Sequence, residues 1–144
     1  MPYTIRIDHT PSESDLDILG KGLDDFTENI AGIEERKNIT FFLKDDNNEI
    51  MGGITGAYGN YDWLWVGTLW ISDAVRGQGY GEQLLYAIEQ EAVKNGCGNA
   101  YLNSFSFSAV EFYKKNGYTV YAELEDFPPG HNLNSLRKKL ILDK

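Results

Sequence analysis

The chain has 144 residues, of which 42% are hydrophobic and 24% are charged, and this composition is typical of a folded globular protein. The formal net charge of −9 argues against nonspecific nucleic-acid binding, which requires a basic surface. The single cysteine, Cys97, excludes an intrachain disulfide, and no apolar run approaches the ~18 residues of a membrane span. We therefore expect one domain over residues 1–144, a cytoplasmic location, and neither a nucleic-acid nor a membrane partner.

The first fifty residues carry most of the negative charge, with 5 Lys/Arg against 12 Asp/Glu. Residues 4–7 predict a short strand. After a predicted turn and helix cap at residues 11–14, apolar residues from Leu16 to Ile30 recur at helical spacing. Gly20 and Gly22 weaken this helix and predict a bend or a break within it. Its acidic face is either solvated or borders a site for a cationic molecule.

The middle of the chain predicts antiparallel strands at residues 39–43, 49–58 and 62–71, joined by short turns rich in Asp, Asn and Gly. Gly67 lies inside the last of these strands, and such a glycine is typical of a bulge or of a close backbone approach. Further along the chain, the pattern predicts a helix at 82–95, a strand at 100–105, a helix opened by a capping box of Ser108 and Glu111, and strands at 118–125 and 133–142.

Between the aromatic strand and the next helix lies the sequence Arg-Gly-Gln-Gly-Tyr-Gly, residues 76–81. Glycines allow close approach of a ligand, and the first turn of a helix offers free N–H groups and partial positive charge. The segment therefore indicates a site for a pyrophosphate. A Walker A loop requires Lys-Ser/Thr after its last glycine, and Glu82-Gln83 stands there instead. A dinucleotide fingerprint requires G-x-G-x-x-G, which the spacing of these glycines does not match.

Two segments resemble signatures of the GNAT superfamily of N-acetyltransferases. Residues 69–81 resemble its acetyl-CoA motif, Arg/Gln-x-x-Gly-x-Gly/Ala after a bulged strand, with matches at Arg76, Gly79 and Gly81. Residues 109–118 are similar to the family's Ala-x-x-aromatic-Tyr-x-x-x-Gly-Phe segment. The order of elements along the whole chain also resembles the family's. The resemblance implies an α/β (α+β) fold with a central, mixed, mostly antiparallel sheet of about six to seven strands flanked by about four helices.

The resemblance also implies which residues contact the co-substrate, acetyl-CoA. The backbone of residues 69–71 would pair with the pantetheine arm, and the amides of residues 78–82 would bind the pyrophosphate. Ser106 stands where many relatives have Asn, and its hydroxyl is expected to take the place of that side chain in a hydrogen bond to CoA. The implied cofactor-binding residues are Leu69, Trp70, Ile71, Arg76, Gly77, Gln78, Gly79, Tyr80, Gly81, Glu82, Ser106 and Phe112.

The implied reaction is direct attack of a primary amine on the acetyl thioester within a ternary complex. Tyr113 is the expected general acid for the departing thiolate, and a backbone N–H such as that of Ile71 would polarise the carbonyl. The sequence does not identify the general base, for which the candidates are Asp62, Glu49, Glu123, Glu125 and His131. No metal site is expected.

The acceptor is the least determined part of the interpretation. The acidic first half favours a small cationic amine, and the aromatic residues Tyr58, Tyr61, Trp63 and Trp65 either line its cleft or pack on the sheet. Two other functions stay open: a catalytically silent acyl-CoA-binding module, and an acetyltransferase of protein, peptide or aminoacyl-tRNA amines. The net charge counts against an RNA acceptor. A homodimer is one arrangement that the sequence allows.

Overall fold

The structure is a computed structural model, and it describes residues 2–141. By its backbone contacts the chain forms two compact units, of which the first ends at Glu34 and the second begins at Glu35. Within the described range, no helix is both long enough and apolar enough to cross a membrane. The expectation of a single domain stays a prediction.

The first unit contains one helix, α1 (Glu13–Ala31), which continues without interruption through Gly20 and Gly22. Ser12 caps it, because its hydroxyl accepts a hydrogen bond from the backbone N–H of Asp15 at 3.1 Å. The strand predicted at residues 4–7 is wrong, since this segment has no strand partner among the described residues. Alternation of apolar residues alone does not make a strand, because the backbone groups also need a neighbouring strand.

The second unit is a sheet of six strands with two α-helices and a short 3₁₀-helix. Its elements are β1 (Lys37–Lys44), β2 (Ile50–Tyr58), β3 (Trp63–Ile71), the 3₁₀-helix (Asp73–Val75), α2 (Tyr80–Lys94), β4 (Asn99–Phe105), α3 (Val110–Lys115), β5 (Thr119–Glu125) and β6 (Asn132–Lys139).

The strand order is β1-β2-β3-β4-β6-β5. Strands β3 and β4 are parallel, whereas the other four neighbouring pairs are antiparallel. The mixed, mostly antiparallel sheet and the β1-β2-β3 meander are therefore confirmed. The six strands and three α-helices of the described residues are close to the numbers expected from the sequence.

Some boundaries differ from the expectation for local physical reasons. Helix α2 begins two residues early because Gly79, in the left-handed region at φ +85°, already serves as its N-cap. The capping box at the start of α3 is wrong. Ala109 is the N-cap, no side chain caps the helix, and the backbone N–H of Ser108 donates to Phe105 in a turn. Strand β6 ends at Lys139, and residue 142 of the predicted strand lies outside the described residues.

The core lies between one face of the sheet and helices α2 and α3. The buried side of α2 consists of Leu84, Leu85, Ile88, Glu89 and Ala92. The largest fully buried side chains are Tyr118, Ile54, Leu64, Leu85, Ile88, Leu102, Leu136, Val66 and Cys97. Cys97 is thus a small core residue, as its position after Gly96 indicates.

One charged group is buried in this core. Glu89 on α2 is only 4% exposed. Its Oε2 accepts a hydrogen bond from the Tyr118 hydroxyl at 2.8 Å, and its Oε1 accepts one from Nζ of Lys138 at 2.9 Å. The Lys138 ammonium also lies 5.6 Å from the centre of the Tyr118 ring. Burial, together with the Glu89 charge, raises the pKa of Tyr118 well above its ordinary value. The network joins α2 to β6 and to the residue before β5.

We expect Lys138→Met to lower the free energy of unfolding by about 1–3 kcal/mol, because it leaves the buried Glu89 carboxylate with the Tyr118 hydroxyl alone. Lys139→Met is the matched control, since Lys139 lies on the same strand but is exposed. Urea unfolding of both variants measures the difference. Equal stability of the two variants would contradict a structural role for the network.

Candidate active site

The parallel strands β3 and β4 stay paired over only three residues each, from Trp63 to Trp65 on β3 and from Asn99 to Tyr101 on β4. Beyond these pairs the two strands separate. A cavity of about 230 Å³ lies in the gap, which we call the splay cavity. It is lined by Gly67, Thr68, Leu69, Asn103, Ser104, Phe105, Ser108, Ala109 and Tyr113.

A bulge in β3 accompanies this separation. Ile54 of β2 is opposite Leu69 and Gly56 is opposite Val66, so β3 has one residue more than β2 between these pairs. The backbone N–H of Thr68 donates to Oγ1 of Thr55 at 3.0 Å. The bulge expected at Gly67 is therefore present.

Gly67 also allows the close approach that the sequence suggested. A Cβ atom at this position would lie 2.9 Å from the indole ring of Trp65 and 3.0 Å from Oγ1 of Thr55. A larger residue would have to displace the Trp65 ring, so the glycine permits this ring to pack against β3 beside the bulge.

A larger cavity, of about 670 Å³, lies beside the splay cavity and includes the N-terminus of α2. Gly77 and Gly79 have positive φ angles of +77° and +85°, which glycine adopts without strain. The first N–H groups of α2 have no intrahelical carbonyl partner and lie at the positive end of the helix dipole. This arrangement is suited to an anionic group such as a pyrophosphate.

Arg76 holds the loop that precedes α2. Its Nε donates a hydrogen bond to the backbone oxygen of Ile71 at 2.8 Å, and its guanidinium forms an ion pair with Asp73. These contacts connect the end of β3 to the loop through one side chain. Arg76 therefore keeps a positive charge beside the larger cavity and fixes the path of the backbone.

Most of the cofactor-binding residues expected from the sequence lie together. The larger cavity is lined by Leu69, Trp70, Ile71, Arg76, Gly77, Gly79, Tyr80, Gly81, Glu82 and Phe112 from that set. Gln78 and Ser106 are not among its lining residues. The Ser106 hydroxyl accepts a hydrogen bond from the Asn132 backbone at 3.0 Å, and Ser106 lines a separate cavity of about 370 Å³.

Sequence reasoning missed three lining residues, Val75, Ser108 and Ala109. Ala109 is the first residue of the second sequence motif, so a signal for it was present. Val75 lies within residues 69–81, the first sequence motif, so it had a signal as well. Ser108 had no such signal, since it reaches the cavity through the path of the turn after β4.

Tyr113 lines the splay cavity rather than the larger one. It is only 6% exposed, and its ring meets those of Phe112 and Tyr118 edge-on, at centroid distances of 5.3 and 5.6 Å. Burial raises the pKa of the Tyr113 hydroxyl above its ordinary value. The group therefore stays protonated at neutral pH and can donate a proton into the cavity.

None of the five candidate general bases lines the splay cavity. Asp62 has a structural role, because its carboxylate accepts hydrogen bonds from the Gly98 backbone at 2.9 Å and from Nδ2 of Asn99 at 3.1 Å. Glu123 accepts a hydrogen bond from Nδ2 of Asn132 at 2.6 Å and lines the separate cavity.

The aromatic residues Tyr58, Tyr61, Trp63 and Trp65, offered above as an acceptor cleft, do not line the splay cavity either. Trp63 contacts Tyr101 edge-on at 5.8 Å, and the Arg36 guanidinium lies 5.8 Å from the Trp65 ring centre. These contacts favour the packing interpretation for both tryptophans.

Comparisons with known proteins agree with this architecture. The profile described as "Acetyltransferase (GNAT) family" matches residues 8–118. The acetyltransferase Atu2258 of Agrobacterium fabrum is 31% identical over 108 residues, which are 75% of this chain and 78% of that protein. The blasticidin-S acetyltransferase of Streptomyces morookaense is 33% identical over 96 residues, 66% of this chain and 70% of that protein.

Among solved structures, an acetyltransferase from Bacillus cereus ATCC 14579 superposes with a TM-score of 0.85 at 31% identity. The match covers 93% of this chain and 97% of that one. The family profile, the sequence relatives and the fold all agree over most of the chain. The chain belongs to the GNAT family of acetyltransferases.

Proposed function

We propose that this protein transfers the acetyl group of acetyl-CoA to a primary amine of a small cationic molecule. The observation that carries the proposal is the separation of β3 from β4, which leaves a cavity lined by the buried Tyr113 beside a larger cavity at the N-terminus of α2.

The larger cavity is the proposed site of the CoA moiety. The backbone amides at the start of α2 would bind the pyrophosphate, with Gly77 and Gly79 holding the loop in its turn. The edge of β3 at residues 69–71 is no longer paired with β4, so its backbone groups are available to the amides of the pantetheine arm. Ser106 remains a proposed contact of lower weight, because its hydroxyl already bonds Asn132.

The acetyl thioester would lie where the two cavities meet, and Leu69, Ser108 and Ala109 line both of them. The Thr68 N–H points to β2, so the alternation of an extended strand directs the next N–H, that of Leu69, to the open side. This N–H is a better candidate than that of Ile71 for polarising the thioester carbonyl, because Ile71 lines only the larger cavity.

Tyr113 would supply the proton to the departing thiolate, whose parent thiol has a pKa near 8.5. Its elevated pKa favours the protonated, donating form. The attacking amine must lose a proton, and no carboxylate or imidazole is among the residues that line the splay cavity. We therefore propose that this proton leaves through solvent at the cavity mouth.

The acceptor class rests on charge and on one relative. The net charge of −9 attracts cations rather than anions. The Streptomyces relative, by its name, acetylates blasticidin S, which supports a small-molecule acceptor.

Release of CoA from acetyl-CoA, measured over a panel of polyamines, antibiotic amines and peptide N-termini, tests this proposal. Turnover above hydrolysis with cationic small amines is the expected result. No turnover with any amine, in a protein that binds acetyl-CoA, would favour a silent binding module. Turnover of peptides alone would overturn the acceptor class.

We expect Gly79→Ala to weaken CoA binding by about tenfold or more, because an alanine resists φ +85° and the loop would change its path. Gly96→Ala is the matched control. Gly96 has φ +92°, lies beyond the other end of α2 and is not a lining residue of the larger cavity. Calorimetry of CoA with both variants makes the comparison. Equal CoA affinities of the two variants would mean that the loop containing Gly79 is not part of the CoA site.

We expect Tyr113→Phe to lower kcat by about a hundredfold while leaving acetyl-CoA affinity unchanged, because the ring stays and only the proton donor is lost. Tyr86→Phe, an exposed tyrosine on α2, should change neither quantity. Steady-state kinetics and calorimetry separate the two effects. Equal losses of kcat and of acetyl-CoA affinity in Tyr113→Phe would mean that Tyr113 only lines the cavity and donates no proton.

The pH dependence of kcat follows from the direction of the Tyr113 shift. A pKa raised above 10 keeps the phenol protonated as the pH rises, so kcat should show no fall below pH 10 from this group. The profile of wild-type protein at saturating substrates measures this. A descending limb below pH 10 that disappears in Tyr113→Phe would mean that the hydroxyl ionises more easily than its burial allows.

A further inference from the structure

Four aromatic side chains form a cluster beside the splay cavity: Phe105, Phe107, Phe127 and His131, which we call the aromatic cluster. The rings of Phe105 and Phe107 stack with 5.2 Å between centroids and 5° between planes. Phe127 also stacks with Phe105, at 6.1 Å between ring centroids, and His131 meets Phe107 edge-on at 4.8 Å. Phe107 and Phe127 are nevertheless 58% and 49% exposed.

The aromatic cluster continues the splay cavity through Phe105. Side chains alternate along β4, so the buried Ser104 faces the helices and Phe105 faces the opposite side of the sheet. Phe105 and Tyr113 both line the splay cavity. Phe105 therefore belongs both to the aromatic cluster and to the lining of the splay cavity.

The loop that carries Phe127 and His131 is held by its own hydrogen bonds. The backbone N–H of Phe127 donates to the oxygen of His131 at 3.0 Å, and that of His131 donates to Pro128 at 2.9 Å. Oδ1 of Asp126 accepts a hydrogen bond from the Gly130 backbone at 3.3 Å. The exposed rings therefore have a defined position before any ligand arrives.

The stretch of chain that carries Phe127 and His131 is acidic. Residues 116–136 contain no lysine or arginine but three carboxylates, Glu123, Glu125 and Asp126. Exposed ring faces attract cations through their quadrupole, and nearby carboxylates add to this attraction. Exposed, stacked rings together with an acidic loop favour a ligand that is positively charged.

We propose that the aromatic cluster is the acceptor subsite and binds a second cationic group of the acceptor while the reacting amine enters the splay cavity. This inference rests on the proposed function and narrows it to amines with a further positive charge. Phe107 and Phe127 supply the exposed ring faces, and Phe105 joins them to the reaction site. Selection among amines would then take place at the rings and not at the reacting atoms.

Two matched acceptors test the inference, cadaverine and pentylamine, which share a five-carbon chain and differ in the second ammonium group. We expect wild-type protein to prefer cadaverine in kcat/KM. Phe107→Leu and Phe127→Leu, which keep apolar bulk but remove the ring, should each raise the KM for cadaverine by about tenfold. The KM for pentylamine and acetyl-CoA and the kcat should stay unchanged. Tyr86→Leu, an exposed aromatic on α2, is the control and should alter none of these.

Different results separate this inference from the proposed function. If both leucine variants acetylate cadaverine and pentylamine with the same ratio of kcat/KM values as the wild-type protein, the subsite is overturned. The acetyltransferase proposal then still stands. If wild-type protein acetylates neither amine, calorimetry of cadaverine with the CoA-loaded protein decides the matter. Binding that both leucine variants weaken supports the cation site on its own, and absence of binding overturns it.

Discussion

The structure depends on an incomplete strand pairing in the middle of its sheet. β3 and β4 are held together by three residues at one end, and at the other end the bulge at Gly67 and Thr68 accompanies their separation. Where β3 and β4 separate, backbone N–H and C=O groups that face the gap lack a partner from the neighbouring strand and require another one. Those unpaired groups are the physical reason why we propose a ligand there: an extended chain with amide groups, such as pantetheine, would satisfy them as a neighbouring strand does.

One ligand can contact both the open edge of β3 and the N-terminus of α2 only if α2 keeps a fixed position relative to the sheet. The Glu89 network serves this purpose, because it joins the buried side of α2 to Lys138 on β6 and to Tyr118. Arg76 fixes the other end of the arrangement, since it bonds the last carbonyl of β3 and so holds the loop that precedes α2. Packing alone would allow α2 to slide along the apolar face, whereas a buried carboxylate with two specific donors has one satisfied position.

The part of the site made from backbone could be predicted from the sequence, because it leaves a local signature. Positive φ angles require glycines at 77 and 79, and the bulge places a glycine at 67, so spacing along the chain carried the information. The strand expected at residues 4–7 failed for the opposite reason, because pairing is a nonlocal property that alternation does not encode. The capping box failed because the turn after β4 uses the Ser108 backbone and leaves Ala109 as the N-cap.

The side-chain part of the site had no such signature. Phe105 ends β4 and Phe107 follows it, whereas Phe127 and His131 lie in the loop between β5 and β6. The two segments are separated by the whole of α3 and β5, and the antiparallel pairing of β6 with both β4 and β5 brings them together. This difference has a chemical basis. In the proposed function, peptide groups in a fixed geometry recognise acetyl-CoA, which constrains the backbone. The acceptor subsite that we propose uses exposed rings, which can change without disturbing β3 or α2. A chain built this way can alter which amine it accepts while the geometry of the reaction stays the same.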